Sequence, residues 1–161
     1  EAMAACRRHS RDNARTPMQW TGGEHAGFTS GTPWFPVNPN YQELNVEADA
    51  ASEQSVRRWY KRLLALRKAP EWEDTLVHGG FQPAFQEETE IFAYWRIGAV
   101  SRKRILVLCH YGRGTVSVPF EEPFRVLLNN GDGLESREGR LWLHTYQVVV
   151  LACGAGEEEK L

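Results

Sequence analysis

The clearest periodic signal lies in the middle of the chain, where Val56, Trp59, Tyr60 and Leu63 recur at i, i+3, i+4 and i+7 and Leu64 and Leu66 widen the stripe. This spacing predicts an amphipathic helix running to about Lys68, with Ser52 as its N-cap and Pro70 closing it. From about Thr75 the period shortens to 2. Short β-branched or aromatic segments at 76–78, 91–96, 105–109, 115–118, 124–128, 140–143 and 147–152 alternate with turn residues such as Gly98, Gly112-Arg-Gly114 and Asn129-Asn-Gly-Asp-Gly133. Six or seven such strands predict an antiparallel sandwich. Ile105-Leu-Val-Leu-Cys109 and Val148-Val-Val-Leu151 are unbroken apolar runs, which marks them as central strands covered on both faces.

Residues 1 to about 51 show neither period for long. A short helix is expected over Ala2–His9, followed by an irregular stretch that holds Pro17, Pro33, Pro36, Pro39 and the Gly22-Gly23 pair. A loop of this length in a compact domain is either functional or disordered. Trp20, Phe28, Trp34, Phe35 and Tyr41 argue against solvated disorder and for packing on something larger. Glu157-Glu-Glu-Lys160 reads as a solvated tail.

Composition narrows the partners. With 42% hydrophobic and 25% charged residues and a formal net charge of -2, the chain has no global basic field for nucleic acid or an anionic membrane, and no apolar run long enough to span a bilayer. Arg57, Arg58, Lys61, Arg62, Arg67 and Lys68 make the far side of the predicted helix basic, which suits a solvated face with cations near the C-terminal dipole. Cys6, Cys109 and Cys153 are odd in number and widely spaced, so a reduced, cytoplasmic protein is expected and no disulfide framework. The histidines at 9, 25, 78, 110 and 144 stand singly and read as surface or loop residues; no metal site and no cofactor are expected.

Candidate chemistry concentrates in Ser10-Arg-Asp-Asn-Ala-Arg-Thr-Pro-Met-Gln-Trp20. Two guanidiniums four residues apart, beside an aromatic and a rigid Thr-Pro step, form a polar ligand surface. An arginine offers five donors in a planar fork, able to span neighbouring hydroxyls or brace a carboxylate. Asp12, flanked by Arg11 and Arg15, suits an ion-paired supporting role that keeps both in place.

This segment, together with Ala26-Gly27-Phe28, Pro33-Trp34, Val37-Asn-Pro-Asn-Tyr41, Leu44-Asn45-Val46 and Tyr60-Lys-Arg-Leu63-Leu-Ala-Leu66-Arg67, resembles the late part of oligo-1,6-glucosidases and dextran glucosidases. These are enzymes of the α-amylase superfamily, glycoside hydrolase family 13. The resemblance covers residues 10 to 70 closely and 75 to 152 by pattern. It departs after Met-Gln-Trp20, where Thr21-Gly-Gly stands in place of the usual Asp, a change shared in part with trehalose synthases.

The resemblance implies an α+β fragment: residues 1–74 as the end of a (β/α)8 barrel, with the loop after strand 8 and the last barrel helix, and 75–161 as a C-terminal antiparallel β-sandwich. At 161 residues the chain is well short of the roughly 250 that such a barrel needs. The parent would be an exo-acting retaining α-glucosidase acting on α-1,6-linked gluco-oligosaccharides. Its catalytic carboxylates would lie upstream, so none is assigned here and the chain alone should be inert. Arg11 would reach the 4-hydroxyl side of the nonreducing glucose, and Arg15 would line the same pocket towards the leaving sugar. The partners implied are the oligosaccharide and the missing N-terminal barrel. A stripe left without its barrel neighbours also predicts self-association of the chain.

Three other readings fit the same residues. A trehalose-phosphate hydrolase or sucrose isomerase would differ upstream. A carbohydrate-binding β-sandwich would stack sugar on exposed Trp95 or Trp142, and a scaffold or dimerisation domain would leave a large apolar patch around Trp59 and Leu63.

Overall fold

The computed structural model describes residues 15–53 and 55–154. The chain divides into two compact units, residues 1–61 and 62–161. The expected Ala2–His9 helix and the acidic tail fall outside the described residues.

In the first unit the extended segment around Gln19 and Trp20 is held by backbone bonds on both sides. The Gln19 and Trp20 carbonyls accept from Val46 N and Glu47 N, each at 3.0 Å, while Trp20 N donates to the Ala26 carbonyl at 2.8 Å. The turn Glu24–Gly27 that presents this carbonyl is left-handed at His25 (φ 50°), Ala26 (φ 57°) and Gly27 (φ 64°). L-residues adopt that conformation at a cost, and Ala26 is fully buried there. A 3-10 helix, Pro39–Gln42, leads to α1 (Val46–Ala51). Asn45 caps α1: its Oδ1 accepts from Ala48 N at 2.8 Å, satisfying one of the free donors of the first turn.

The long helix, α2, spans Val56–Lys68 as its periodicity predicts, but its cap differs. Ser52 closes α1, with its N–H on the Ala48 and Asp49 carbonyls, and it is the Ser55 hydroxyl that accepts from Arg58 N at 2.9 Å. No residue of α2 is fully buried; Val56, Tyr60 and Leu64 are exposed, and Trp59 and Leu63 half-buried.

The second unit adds α3 (Glu73–Leu76) and eight strands: β1 Gly80–Ala84, β2 Ile91–Ile97, β3 Arg104–His110, β4 Val116–Pro119, β5 Phe124–Asn129, β6 Glu135–Arg137, β7 Arg140–Leu143 and β8 Val148–Cys153. They form two antiparallel sheets, ordered β1-β2-β3-β8-β5 and β4-β7-β6. One expectation fails here and two strands are unforeseen. Residues 76–78 end a helical turn rather than form a strand, while the sequence pattern marks neither β1, which contains Pro83, nor β6, whose three residues are too short and charged to show a period. Gly79 explains the first: a Cβ there would fall on the Thr75 and Ile97 carbonyl oxygens, so the backbone crosses from α3 to β1 where only glycine fits.

The apolar runs of β3 and β8 sit at the centre, paired Leu106 to Leu151 and Leu108 to Val149. These side chains meet Val118, Leu141 and Leu143 of the second sheet, with Phe120, Phe124 and Leu134 closing the sandwich. The other face of the same strands, Ile105, Val150 and Ala152, packs on Trp72, with Leu66, Ala69 and Leu76 around it. Two-sided burial is why these strands lack polar alternation.

Candidate functional site

Arg15 is the first described residue and is exposed; Arg11 and Asp12 lie outside the described residues. After Arg15 the chain buries Pro17, leaves Met18 50% exposed, and reaches Gln19. The Gln19 carboxamide then joins two of the motifs quoted above. Its Nε2 donates to Asn40 Oδ1 at 3.1 Å and to the Leu44 carbonyl. Asn45 extends the same network, donating from Nδ2 to the Tyr41 carbonyl at 2.9 Å while its oxygen caps α1. An open depression of about 550 Å³ runs beside this network, lined among others by Thr16, Met18, Gln19, Asn40, Val46 and Arg57. The role of Gln19 has no signature in periodicity or composition. Only its membership of Met-Gln-Trp20 points to it.

The loop aromatics divide. Trp34 is 90% exposed and meets Phe35 edge-on at 5.3 Å, and Trp20 is 49% exposed. In the β unit the tryptophans proposed as sugar platforms are each covered by a guanidinium: Arg104 lies 4.2 Å over Trp95, and Arg137 lies 4.7 Å over Trp142. Arg104 is itself fixed by a two-pronged pair with Glu122 at 2.7 and 3.1 Å. Both rings are half-buried, so neither offers a bare face of the kind a stacked sugar needs.

Among the histidines, one expectation is corrected. His110 is 1% exposed, because it ends β3 inside the sandwich, and its Nδ1 donates to the His144 carbonyl at 2.7 Å. Gln147 is buried beside it and satisfied, accepting from His144 N and donating to Asn129 Oδ1 and the Gly133 carbonyl. Burial pushes the Cys109 thiol up from its ordinary value, which disfavours the reactive thiolate. Burial likewise raises the Tyr94 hydroxyl.

The family pattern of the alpha-amylase catalytic domain matches residues 1–79, the part of the chain that holds the arginine segment, the Gln19 network and α2. An oligo-1,6-glucosidase from Halalkalibacterium halodurans is 44% identical over 128 residues, which is 79% of this chain and 21% of that protein. The chain belongs to the α-amylase family. Among other family members, a trehalose-6-phosphate hydrolase from Bacillus subtilis is 38% identical over 151 residues, covering 88% of this chain and 25% of the relative. In structure, the trehalose-6-phosphate hydrolase of Bacillus licheniformis superimposes with a TM-score of 0.78 at 34% identity, over 90% of this chain and 26% of that one. The isomaltulose synthase of a Klebsiella strain gives 0.75 at 31% identity, again over 90% and 26%. The chain thus spans about a fifth to a quarter of the length of these α-amylase-family relatives. Its antiparallel sandwich, preceded by the helical region, fits the C-terminal β domain of the family's enzymes.

Proposed function

We propose that this chain is the C-terminal part of an exo-acting, retaining α-glucosidase that hydrolyses α-1,6-linked gluco-oligosaccharides, of the oligo-1,6-glucosidase or glucan 1,6-α-glucosidase type. Residues 1–74 end the catalytic barrel and residues 75–161 form the stabilising β domain. Arg11 and Arg15 bind the sugar, and Asp12 holds the two guanidiniums apart and oriented. The nucleophile and acid/base, two carboxylates about 5 to 5.5 Å apart in a retaining enzyme, come from upstream strands. The observation that carries this reading is the Gln19–Asn40 bond, which ties the arginine-bearing segment to the Asn38-Pro-Asn40 motif within the stretch matching the catalytic domain.

The chemistry suits the residues. An exo-acting site must recognise a chain end, and a guanidinium satisfies two neighbouring hydroxyls at once while keeping its charge at every relevant pH. The free thiol of Cys109 suits a reducing cytoplasm. The exposed Val56, Tyr60 and Leu64 of α2 favour self-association when the upstream barrel is absent.

The full-length protein should release glucose from isomaltose with retention of the anomeric configuration, read by proton NMR during the first turnovers, while residues 1–161 alone should stay at background. Inverted product would refute the retaining mechanism, and activity in the isolated chain would refute the fragment assignment. The Bacillus subtilis relative favours a second reading, hydrolysis of trehalose 6-phosphate. A full-length enzyme that prefers this phosphate over isomaltose decides for it.

A further inference from the structure

We infer that the outer face of β1, β2 and β3 is an interface with the upstream part of the catalytic domain, an inference that rests on the glucosidase reading above. Side chains on a strand alternate between its two faces. Ile91 and Ala93 of β2 and Leu106 and Leu108 of β3 lie in the sandwich core, so Phe92, Tyr94 and Arg96, with Val107 and Cys109, point outward. Phe81 and Pro83 of β1 pair with Arg96 and Tyr94 and share that face. Outward positions of a sheet that meets water are polar. Here the charged one is Arg96, and its guanidinium turns to the Thr75 and Leu76 carbonyls, each at 3.4 Å. Phe81 and Phe92 are 56% and 50% exposed, and both rings meet the half-buried Tyr94, with centroids 5.0 and 5.6 Å away. A monomeric soluble protein rarely leaves a contiguous aromatic patch of this kind bare.

The rest of the same face identifies the occupant. Tyr94 stands opposite Val107, and Val107 opposite Val150. There the sheet is already covered, by Trp72 with Leu66, Ala69 and Leu76 around it. These four residues belong to the stretch 1–79 that matches the alpha-amylase catalytic domain. The catalytic domain therefore already seats on this sheet at β8 and β3, and the bare aromatics continue the seat across β2 to β1. An apolar surface of that same domain, contributed by residues upstream, completes it.

The test uses the full-length enzyme, assayed on isomaltose and labelled briefly with hydroxyl radicals, each residue's rate being taken relative to its rate in urea. Phe81 and Phe92 should be oxidised at least about fivefold more slowly than Tyr146, because the core of an interface excludes water. Tyr146 is 54% exposed in the turn before β8 and serves as the internal control. Phe92→Lys puts a charge opposite Cys109 on this face. It should raise alkylation of the Cys109 thiol by N-ethylmaleimide about tenfold and lower Tm, since an unpaired charge is not tolerated in an apolar contact. Val100→Lys, on the 87% exposed turn position between β2 and β3, should change neither. The wild-type labelling decides even where Phe92→Lys fails to fold. Phe81 and Phe92 labelled as fast as Tyr146 in an enzyme active on isomaltose, or a folded Phe92→Lys with unchanged alkylation and Tm, overturns the inference and leaves the glucosidase reading intact. Protection that disappears on dilution to monomer assigns the face to a second copy and overturns it too. An enzyme inert on isomaltose overturns the reading on which the inference rests.

Discussion

Asp74 and Ser101 are joined twice: the Asp74 carboxylate accepts from the Ser101 hydroxyl at 2.7 Å and from its backbone N–H at 2.8 Å. Val100 N adds a further donor at 3.2 Å. Through these bonds α3 organises the turn between β2 and β3. The hydroxyl, the two amides and the nearby His78 hold the Asp74 carboxyl below its ordinary value of 3.8. A carboxyl depressed in the folded state stabilises fully above its unfolded value and loses that contribution as pH falls through the folded one. Protection of the Ser101 amide from hydrogen exchange should therefore persist above about pH 4 and decline in more acid solution. Asp74→Asn should remove this pH dependence. Protection that is flat across the acid range in the wild type would contradict the assignment.

Trp72 and Trp142 should separate by stability. Trp72 is 3% exposed at the centre of the Ile105, Val150 and Ala152 cluster, so Trp72→Ala should cost about 3 to 5 kcal/mol in urea unfolding. Trp142 is half-buried on the outer side of its sheet with Arg137 across its ring, and its truncation should cost less. Equal losses would place Trp142 in a core it does not occupy.

Gly79 and Gly80 are adjacent and should differ. A methyl at Gly79 meets two carbonyl oxygens of the backbone, which cannot turn aside, and Gly79→Ala should destabilise by about 1 to 3 kcal/mol. At Gly80 the nearest atom to an added Cβ is 4.0 Å away, so Gly80→Ala should change stability by less than about 0.5 kcal/mol. Thermal unfolding of both variants checks the pair.

The parts of the fold that follow from short-range pattern were readable from the residues, and those that depend on approach in space were not. The stripe from Val56 to Leu66 marks α2, and the double-sided burial of β3 and β8 is written in their unbroken apolar runs. The sequence pattern points to Ser52 rather than Ser55 as the cap of α2, because α1, six residues long, is too short to show a period and separate the two serines' roles. Leu76-Val77-His78 reads as β-forming, yet the chain must turn at Gly79 first. At the candidate site the arginines announce themselves by type and spacing. The bond from Gln19 to Asn40 spans twenty-one residues of irregular chain, and no local rule encodes it.

The central claim is that the arginine loop binds sugar in the parent enzyme. The most direct measurement is kcat/KM on isomaltose for full-length Arg11→Ala and Arg11→Lys, normalised to folded enzyme. Losing a charged hydrogen-bond donor from a buried sugar contact costs about 1.5 to 3 kcal/mol, so Arg11→Ala should fall roughly ten- to a hundredfold. Arg11→Lys should recover little, since an ammonium lacks the two-pronged geometry. Near-wild-type efficiency in Arg11→Ala, alongside a selective kinetic loss in a stably folded Trp142→Ala, would contradict the account and move the ligand contact to the β domain.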